Sequence, residues 1–280
     1  MGRMDSDVGI STYIKSREPF YPEVASVADV GRAFTPNLEA IAALKPDLVV
    51  TWTKWPGQEM EERLKPFGIT VLRLELYLIP LIEREVRVLG EVFEARDKAE
   101  AYLSWNRERT AELTACLGSG PRPKVLLESF SPMQAYGRGT GMDSLCELAG
   151  GDNVGRALAI SSALVDTEWV VRSAPDAVVK SVTLRLETPE KEQRRLDAIR
   201  DEIVARPGWN LVPAVRKKRV LAMSTDVGGG PRYVVGLAYM LRWLHPKQCT
   251  GIDPEALHRE YLERFHGQRL EGAFVSSPMP

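Results

Sequence analysis

Val, Ile and Leu gather in short runs at 48–53 (LVVTWT), 69–74 (ITVLRL), 124–129 (KVLLES), 177–181 (AVVKS) and 219–224 (RVLAMS). Between the runs, apolar residues recur at helical spacing, which predicts strands alternating with helices and therefore parallel sheets covered by helices, the α/β class. Residues 82–93 carry Ile82, Val86, Leu89 and Phe93 on one helical face. Residues 96–117 predict a second helix, polar over much of its length and about 33 Å long at ~1.5 Å per residue. Its position suits a rigid strut between two lobes, with an ordinary peripheral helix of one lobe as the alternative. "GSGPRP" at 118–123 breaks the pattern before the next strand. Toward the end, a glycine-rich loop with Pro231 leads into a helix that Pro246 stops, and Asp253 with Pro254 starts a last helix over 254–266. The closing "EGAFVSSPMP" has no periodicity and reads as a tail.

One stretch occurs twice. "NLEAIAALKPDLVVTW" (37–52) is echoed by "DTEWVVRSAPDAVVKS" (166–181), and in each a Glu precedes Pro-Asp by seven residues, followed by an apolar or small residue and Val-Val. Upstream stand "VGRAF" at 30 and "VGRAL" at 154, with the second spacer five residues longer. Two copies at this separation predict two similar lobes and exclude a solenoid, whose unit recurs every few tens of residues. The expected boundaries are an N-terminal lobe over 1–95, a connecting helix over 96–117 and a C-terminal lobe over 118–280.

Composition narrows the chemistry. A chain of 280 residues with 44% hydrophobic content and a net charge of −1 shows no basic surface for nucleic acid. Neither a membrane span nor the apolar core of a signal peptide is present, so the residues taken literally describe a cytoplasmic protein. Cys116, Cys146 and Cys249 are odd in number, far apart and without a CxxC pair, and read as three unpaired packing thiols. "GRGTG" at 137–141 lacks the lysine of a phosphate loop and reads as a turn. His245, His258 and His266 form no metal pair and read as surface residues, and Ser129 and Ser131 lie in no nucleophile elbow. No catalytic centre emerges.

What remains is a set of aromatic and cationic residues after the predicted strands, where open α/β sheets bind ligands. Trp52, Lys54 and Trp55 follow the strand at 48; Tyr136 and Arg138 follow that at 124; Arg232 and Tyr233 follow that at 219; Tyr13 and Lys15 lie near the start. Such residues suit a large, partly planar, anionic ligand held by stacking and charge-assisted hydrogen bonds. Taken singly, each also fits ordinary packing or a solvated rim.

"VGRAFTPNLEAIAALKPDLVV", "VDTEWVVRSAPDAVV", "ELAGGDNV" and "GWNLVPAVRKKRVLAM" together resemble the substrate-binding proteins of ABC importers for iron-siderophore, haem and cobalamin, over residues 8 to about 266. The resemblance implies two Rossmann-like lobes with parallel sheets joined by one long helix, and a ligand in the cleft between them. It implies that Glu39 and Glu168 dock onto arginines of the permease subunits, the alternative being that each only offsets the positive end of its helix, worth ~0.3–1 kcal/mol. It further implies a monomer without enzymatic activity or a resident cofactor, exported and membrane-anchored at the periplasmic or extracellular face. Family members have a first strand and helix before a segment like "DVGIS", so a first lobe shortened at its start is expected. Lys54, Arg138 and Arg232 favour an anionic ferric siderophore, a metal chelate, over the amide-covered cobalamin; Tyr13 or Tyr136 could serve as an axial ligand to haem. A cytoplasmic α/β enzyme acting on an anionic metabolite is the alternative of another class.

Overall fold

The computed structural model describes residues 6–16, 22–184, 187–267 and 272–279. These form two units: one holds residues up to Leu76 together with Arg84–Ala99, the other Tyr77–Glu83 and the chain from Glu100 onward.

In the first unit come β1 (Gly9–Ile10), α1 (Thr12–Lys15), β2 (Ala28–Asp29), β3 (Gly31–Arg32) and β4 (Thr35–Pro36). β1 and β2 pair in parallel, β3 and β4 antiparallel. Lys15 Nζ donates to the carbonyls of Val24, Ala25 and Val27 at 2.9, 2.5 and 3.1 Å, at the end of a 3-10 turn over Pro22–Ser26 where helical bonding runs out. There follow α2 (Leu38–Leu44), β5 (Leu48–Trp52), α3 (Glu59–Leu64) and β6 (Thr70–Leu74). β5 and β6 are parallel, with Thr51 opposite Arg73, and α2 and α3 supply Ile41, Met60 and Leu64 to a core completed by Ile69. α4 (Ile79–Val92) starts in the second unit and continues in the first from Arg84; α5 (Arg96–Thr114) belongs to the second unit from Glu100.

The second unit continues with β7 (Lys124–Glu128), β8 (Gln134–Tyr136), α6 (Gly141–Leu148), β9 (Asp152–Asn153), β10 (Ser162–Leu164), α7 (Thr167–Ser173), β11 (Ala177–Val182), α8 (Pro189–Val204), α9 (Pro213–Arg216), β12 (Val220–Ser224), α10 (Tyr233–Leu244) and α11 (Pro254–His266). Its sheet runs β10-β8-β7-β11-β12, with β9 against the start of β7. β7, β11 and β12 are parallel and buried on both faces: Val125, Leu127, Ala177 and Val179 enter one apolar cluster, Leu126 and Val178 the other. This is the period-two division of a sheet covered by helices on either side. β8 and β10 are antiparallel, so the sheet is mixed where a parallel one is expected.

The repeated stretch folds alike in both units. Asn37 and Asp166 cap their helices, accepting from the backbone N–H of Ala40 at 3.0 Å and of Trp169 at 2.7 Å. Eight residues after its cap each helix ends in a left-handed residue, Lys45 (φ 49°) or Ala174 (φ 45°), and Pro-Asp turns the chain into β5 or β11.

Charge is buried inside the second sheet. Lys180, on β11, donates from Nζ to Glu128 Oε1 at 2.9 Å and to the carbonyls of Ser129 and Ser131 at 2.5 and 3.1 Å. Arg206 grips both oxygens of Glu128 at 2.6 and 2.7 Å and lies over the Trp209 ring at 4.6 Å. Burial alone would raise the Glu128 carboxyl, but Arg206 and Lys180 outweigh it and hold the group below the usual carboxylate range.

Three expectations are corrected. Cys116 and Cys249 form a disulfide between the segment after α5 and that after α10, leaving Cys146 as the buried free thiol; a pairing across 133 residues has no signature in spacing. His258 is buried against Phe274, its ring 4.5 Å away. Burial, with Arg232 and His266 nearby, pushes its pKa down to about 3, so it stays neutral. The closing residues are not a loose tail: Ser224 N–H donates to the Phe274 carbonyl and Ser276 N–H to that of Ala222, at 2.7 and 2.8 Å along β12.

Closing so long a loop constrains the unfolded chain, and breaking such a bridge typically costs about 2–5 kcal/mol. The Cys116→Ser, Cys249→Ser variant is therefore expected to melt well below the wild type. Unreduced wild type unfolded in denaturant should titrate one thiol with Ellman's reagent; three would show that the bridge does not form.

Candidate functional site

In the first unit the candidate residues lie on the loop that leaves β5. Trp52 and Trp55 are 45% and 58% exposed, and Lys54 is exposed between them. Phe34, 53% exposed, meets the Trp52 ring edge-on at 4.8 Å. This outward display follows from where the loop's backbone points. Arg73, rising from the neighbouring strand, donates to the carbonyls of Trp52, Thr53, Pro56 and Gly57 at 2.9, 3.3, 2.6 and 2.9 Å. The same guanidinium binds Glu61 of α3 through both carboxylate oxygens at 2.5 and 2.7 Å. Thr51 Oγ1 donates to the Trp55 carbonyl at 3.3 Å. The hydrogen bonds with Arg73 hold the Glu61 carboxyl low and raise Arg73. Tyr13, exposed, sits on the short α1.

In the second unit the chain does not run from β7 straight into a ligand loop. It reverses through 129–133, so Tyr136 closes the antiparallel β8, half-buried, its pKa raised by burial. Arg138 is exposed on the 137–140 loop beyond it. That loop rests on Asp143, whose carboxylate accepts from the Gly139 N–H at 3.1 Å, from Asn153 Nδ2 at 3.0 Å and from Arg156 Nε at 2.6 Å. Arg156 reaches on to Glu147 at 2.5 Å, and Asn153 Nδ2 also donates to the Tyr136 carbonyl at 3.0 Å. Gly139 sits at φ 78°, and a Cβ on Gly141 would lie 2.4 Å from the Tyr77 carbonyl; the turn thus needs glycine twice, and the exposed Tyr77 packs on its rim.

Arg232 and Tyr233 face packing more than solvent. Arg232 lies over the Tyr261 ring at 5.9 Å, the Tyr233 hydroxyl is 3.3 Å from Thr110 Oγ1, and Tyr102 OH donates to the carbonyl of Pro231, just before them in the chain, at 2.6 Å. Burial raises Tyr233. The structure therefore gathers Trp52, Lys54 and Trp55 on one loop, leaves Arg138 exposed, and engages Tyr136, Arg232 and Tyr233 in the fold. Arg73, Phe34, Tyr77 and the Asp143–Arg156 pair escape the sequence patterns; a lone Arg in the apolar run ITVLRL is the one visible signal. Glu39 and Glu168 are exposed in the first turns of α2 and α7, Glu168 paired with Arg172 at 3.2 Å. Among the described residues no group of three or more His, Cys, Asp or Glu converges as a metal site, and no helix is long and apolar enough to cross a membrane.

A family model described as periplasmic binding protein matches residues 2–227. The vitamin B12-binding protein of Salmonella typhimurium (strain LT2) is 27% identical over 173 residues, 61% of this chain and 64% of that protein, so the match spans less than two thirds of the relative. The molybdate-binding protein MolA of Haemophilus influenzae is 22% identical over 88% of this chain and 74% of its own length. Among solved structures, the TroA-like periplasmic binding protein FepB from Veillonella parvula superposes with a TM-score of 0.77 at 19% identity, covering 96% of this chain and 85% of that one, a likeness of fold. The family and these proteins are binding proteins, which sets aside the enzyme reading.

Burial would raise Asp143, but Arg156, Asn153 and the Gly139 N–H together hold it below the unfolded value of about 3.9. Its stabilisation is therefore present above that pH and lost as pH falls through the folded value. Asp143→Asn is expected to lose about 2 kcal/mol at pH 7, read by urea unfolding, and to weaken the stability's dependence on pH in the acid range. An unchanged acid limb would show that the carboxylate does not anchor the loop.

Proposed function

The chain belongs to the periplasmic binding protein family, and we propose that it captures a planar metal chelate, a corrinoid such as cobalamin, and delivers it to the permease subunits of an ABC importer. The observation that carries this reading is the loop after β5, which holds Trp52 and Trp55 out to solvent beside Phe34. Exposed aromatic faces grip a large, amide-covered ring system by apolar contact and stacking. The charge balance favours the corrinoid over an anionic complex: Arg73 is neutralised by Glu61, and Arg232 is turned onto Tyr261. The relative from Salmonella typhimurium, named for vitamin B12 binding, supports the same choice. A ferric siderophore is the second reading, supported by the exposure of Lys54 and Arg138.

Glu39 and Glu168 stand at the same position of the same capped helix in the two units, each exposed. Compensating a helix dipole does not require identical residues in both copies, so we assign the pair to docking on permease cations. Work at the periplasmic face accords with the family and with the Cys116–Cys249 bridge, since disulfides persist in oxidising compartments.

The test is a thermal-shift screen against hydroxocobalamin, a ferric tris-catecholate complex, ferric citrate and haemin. A ligand at 100 times its dissociation constant adds about 2.7 kcal/mol of stability, and cobalamin is expected to give the largest rise in midpoint. A shift with the ferric complexes alone would replace the first reading by the second; no shift with any, in a cooperatively melting protein, would overturn both. Reversing both glutamates to Arg should leave that shift intact while abolishing stimulation of the importer's ATPase in proteoliposomes; retained stimulation would overturn the docking assignment.

A further inference from the structure

Arg73 stands out by chemistry rather than exposure: a half-buried cation whose donors are divided between one short loop and a single carboxylate. Its guanidinium carries five N–H groups in a fixed plane. Nε and one Nη2 hydrogen face the Glu61 carboxylate, while Nη1 and the remaining Nη2 hydrogen serve the carbonyls of Trp52, Thr53, Pro56 and Gly57. Thr51, opposite Arg73 in the β5–β6 register, takes the Trp55 carbonyl. The carbonyls of 52, 53, 55, 56 and 57 thus all point to the strand side, and the side chains of Trp52, Lys54 and Trp55 are left on the solvent side. Glu61 fixes the guanidinium from behind, so α3 also sets where the loop stands.

We propose that Arg73 is a positioning residue: it pre-organises the Trp52–Trp55 loop as a rigid aromatic face and raises ligand affinity without touching the ligand. The inference rests on the reading of that loop as a binding surface. Holding two tryptophans in their bound arrangement before the ligand arrives removes the ordering cost of each, which corresponds to roughly tenfold in affinity. Lysine cannot substitute, because a compact ammonium with three donors cannot span four carbonyls and a carboxylate.

The experiment measures dissociation constants for hydroxocobalamin and the ferric tris-catecholate by tryptophan quenching, with melting midpoints alongside. The proteins compared are the wild type, Arg73→Lys, Arg73→Met, and each of these changes in a Trp52→Ala, Trp55→Ala background. Arg73→Lys, which keeps a charge beside Glu61, is expected to melt near the wild type yet bind about tenfold more weakly. In the background lacking Trp52 and Trp55, where Trp105, Trp169, Trp209 and Trp243 still report the quenching, the same change should cost nothing further, the mark of an effect transmitted through the loop. Unchanged affinity in Arg73→Lys and Arg73→Met would overturn the inference, and so would an equal loss in both backgrounds, which would mean that Arg73 meets the ligand directly. Failure of the functional reading looks different: no saturable quenching of the wild type by either probe, which removes both claims together.

Discussion

A sheet covered on both faces leaves a charged side chain no path to water, and the second unit is organised around that constraint at Lys180. Desolvating an ammonium costs several kcal/mol unless its donors are matched. Glu128 on the adjacent strand supplies the counter-charge, and the carbonyls of Ser129 and Ser131 supply the remaining acceptors. To bring those carbonyls to Nζ the chain must bend immediately after β7. Met133 N–H then closes on Glu128 Oε1 at 3.2 Å, and the segment returns as the antiparallel β8. Arg206 completes the carboxylate from outside and ties the end of α8 to the same point.

The first unit solves a similar problem with the opposite outcome. There, too, a cation rising from a strand is paired with one carboxylate and collects carbonyls of the loop that leaves the neighbouring strand. Lys180 pulls its loop into the sheet and reverses the chain, whereas Arg73 gathers the loop's backbone and leaves the side chains outside. The difference lies in position: Lys180 sits between two covered faces, while Arg73 lies in a two-stranded ladder whose loop side meets solvent. One loop becomes architecture, the other a surface.

Much of this was legible in the residues. The five Val/Ile/Leu runs are the five longer strands β5, β6, β7, β11 and β12, and the helix over 254–266 starts and stops where Asp253, Pro254 and Gly267 dictate. The repeated Glu-to-Pro-Asp stretch proved to be one capped helix and corner built twice. What escaped depends on partners remote in sequence. The Cys116–Cys249 bridge, the burial of His258 against Phe274 and the return of the last residues along β12 join segments with no local pattern in common. Tyr136 and Arg232 were misplaced because "after a strand" says nothing of where a side chain turns: one closes an unforeseen strand, the other lies on an aromatic ring of α11.

The fastening of the loop after β5 has an evolutionary consequence. Every bond that Arg73 and Thr51 make to it ends on a main-chain oxygen, which all twenty amino acids possess. Mutations at 52, 54 and 55 can therefore change the side chains shown to solvent without loosening the clasp. Descendants of this chain could rewrite that exposed face by changing three letters, while the arginine, its glutamate and the shape of the turn stay in place.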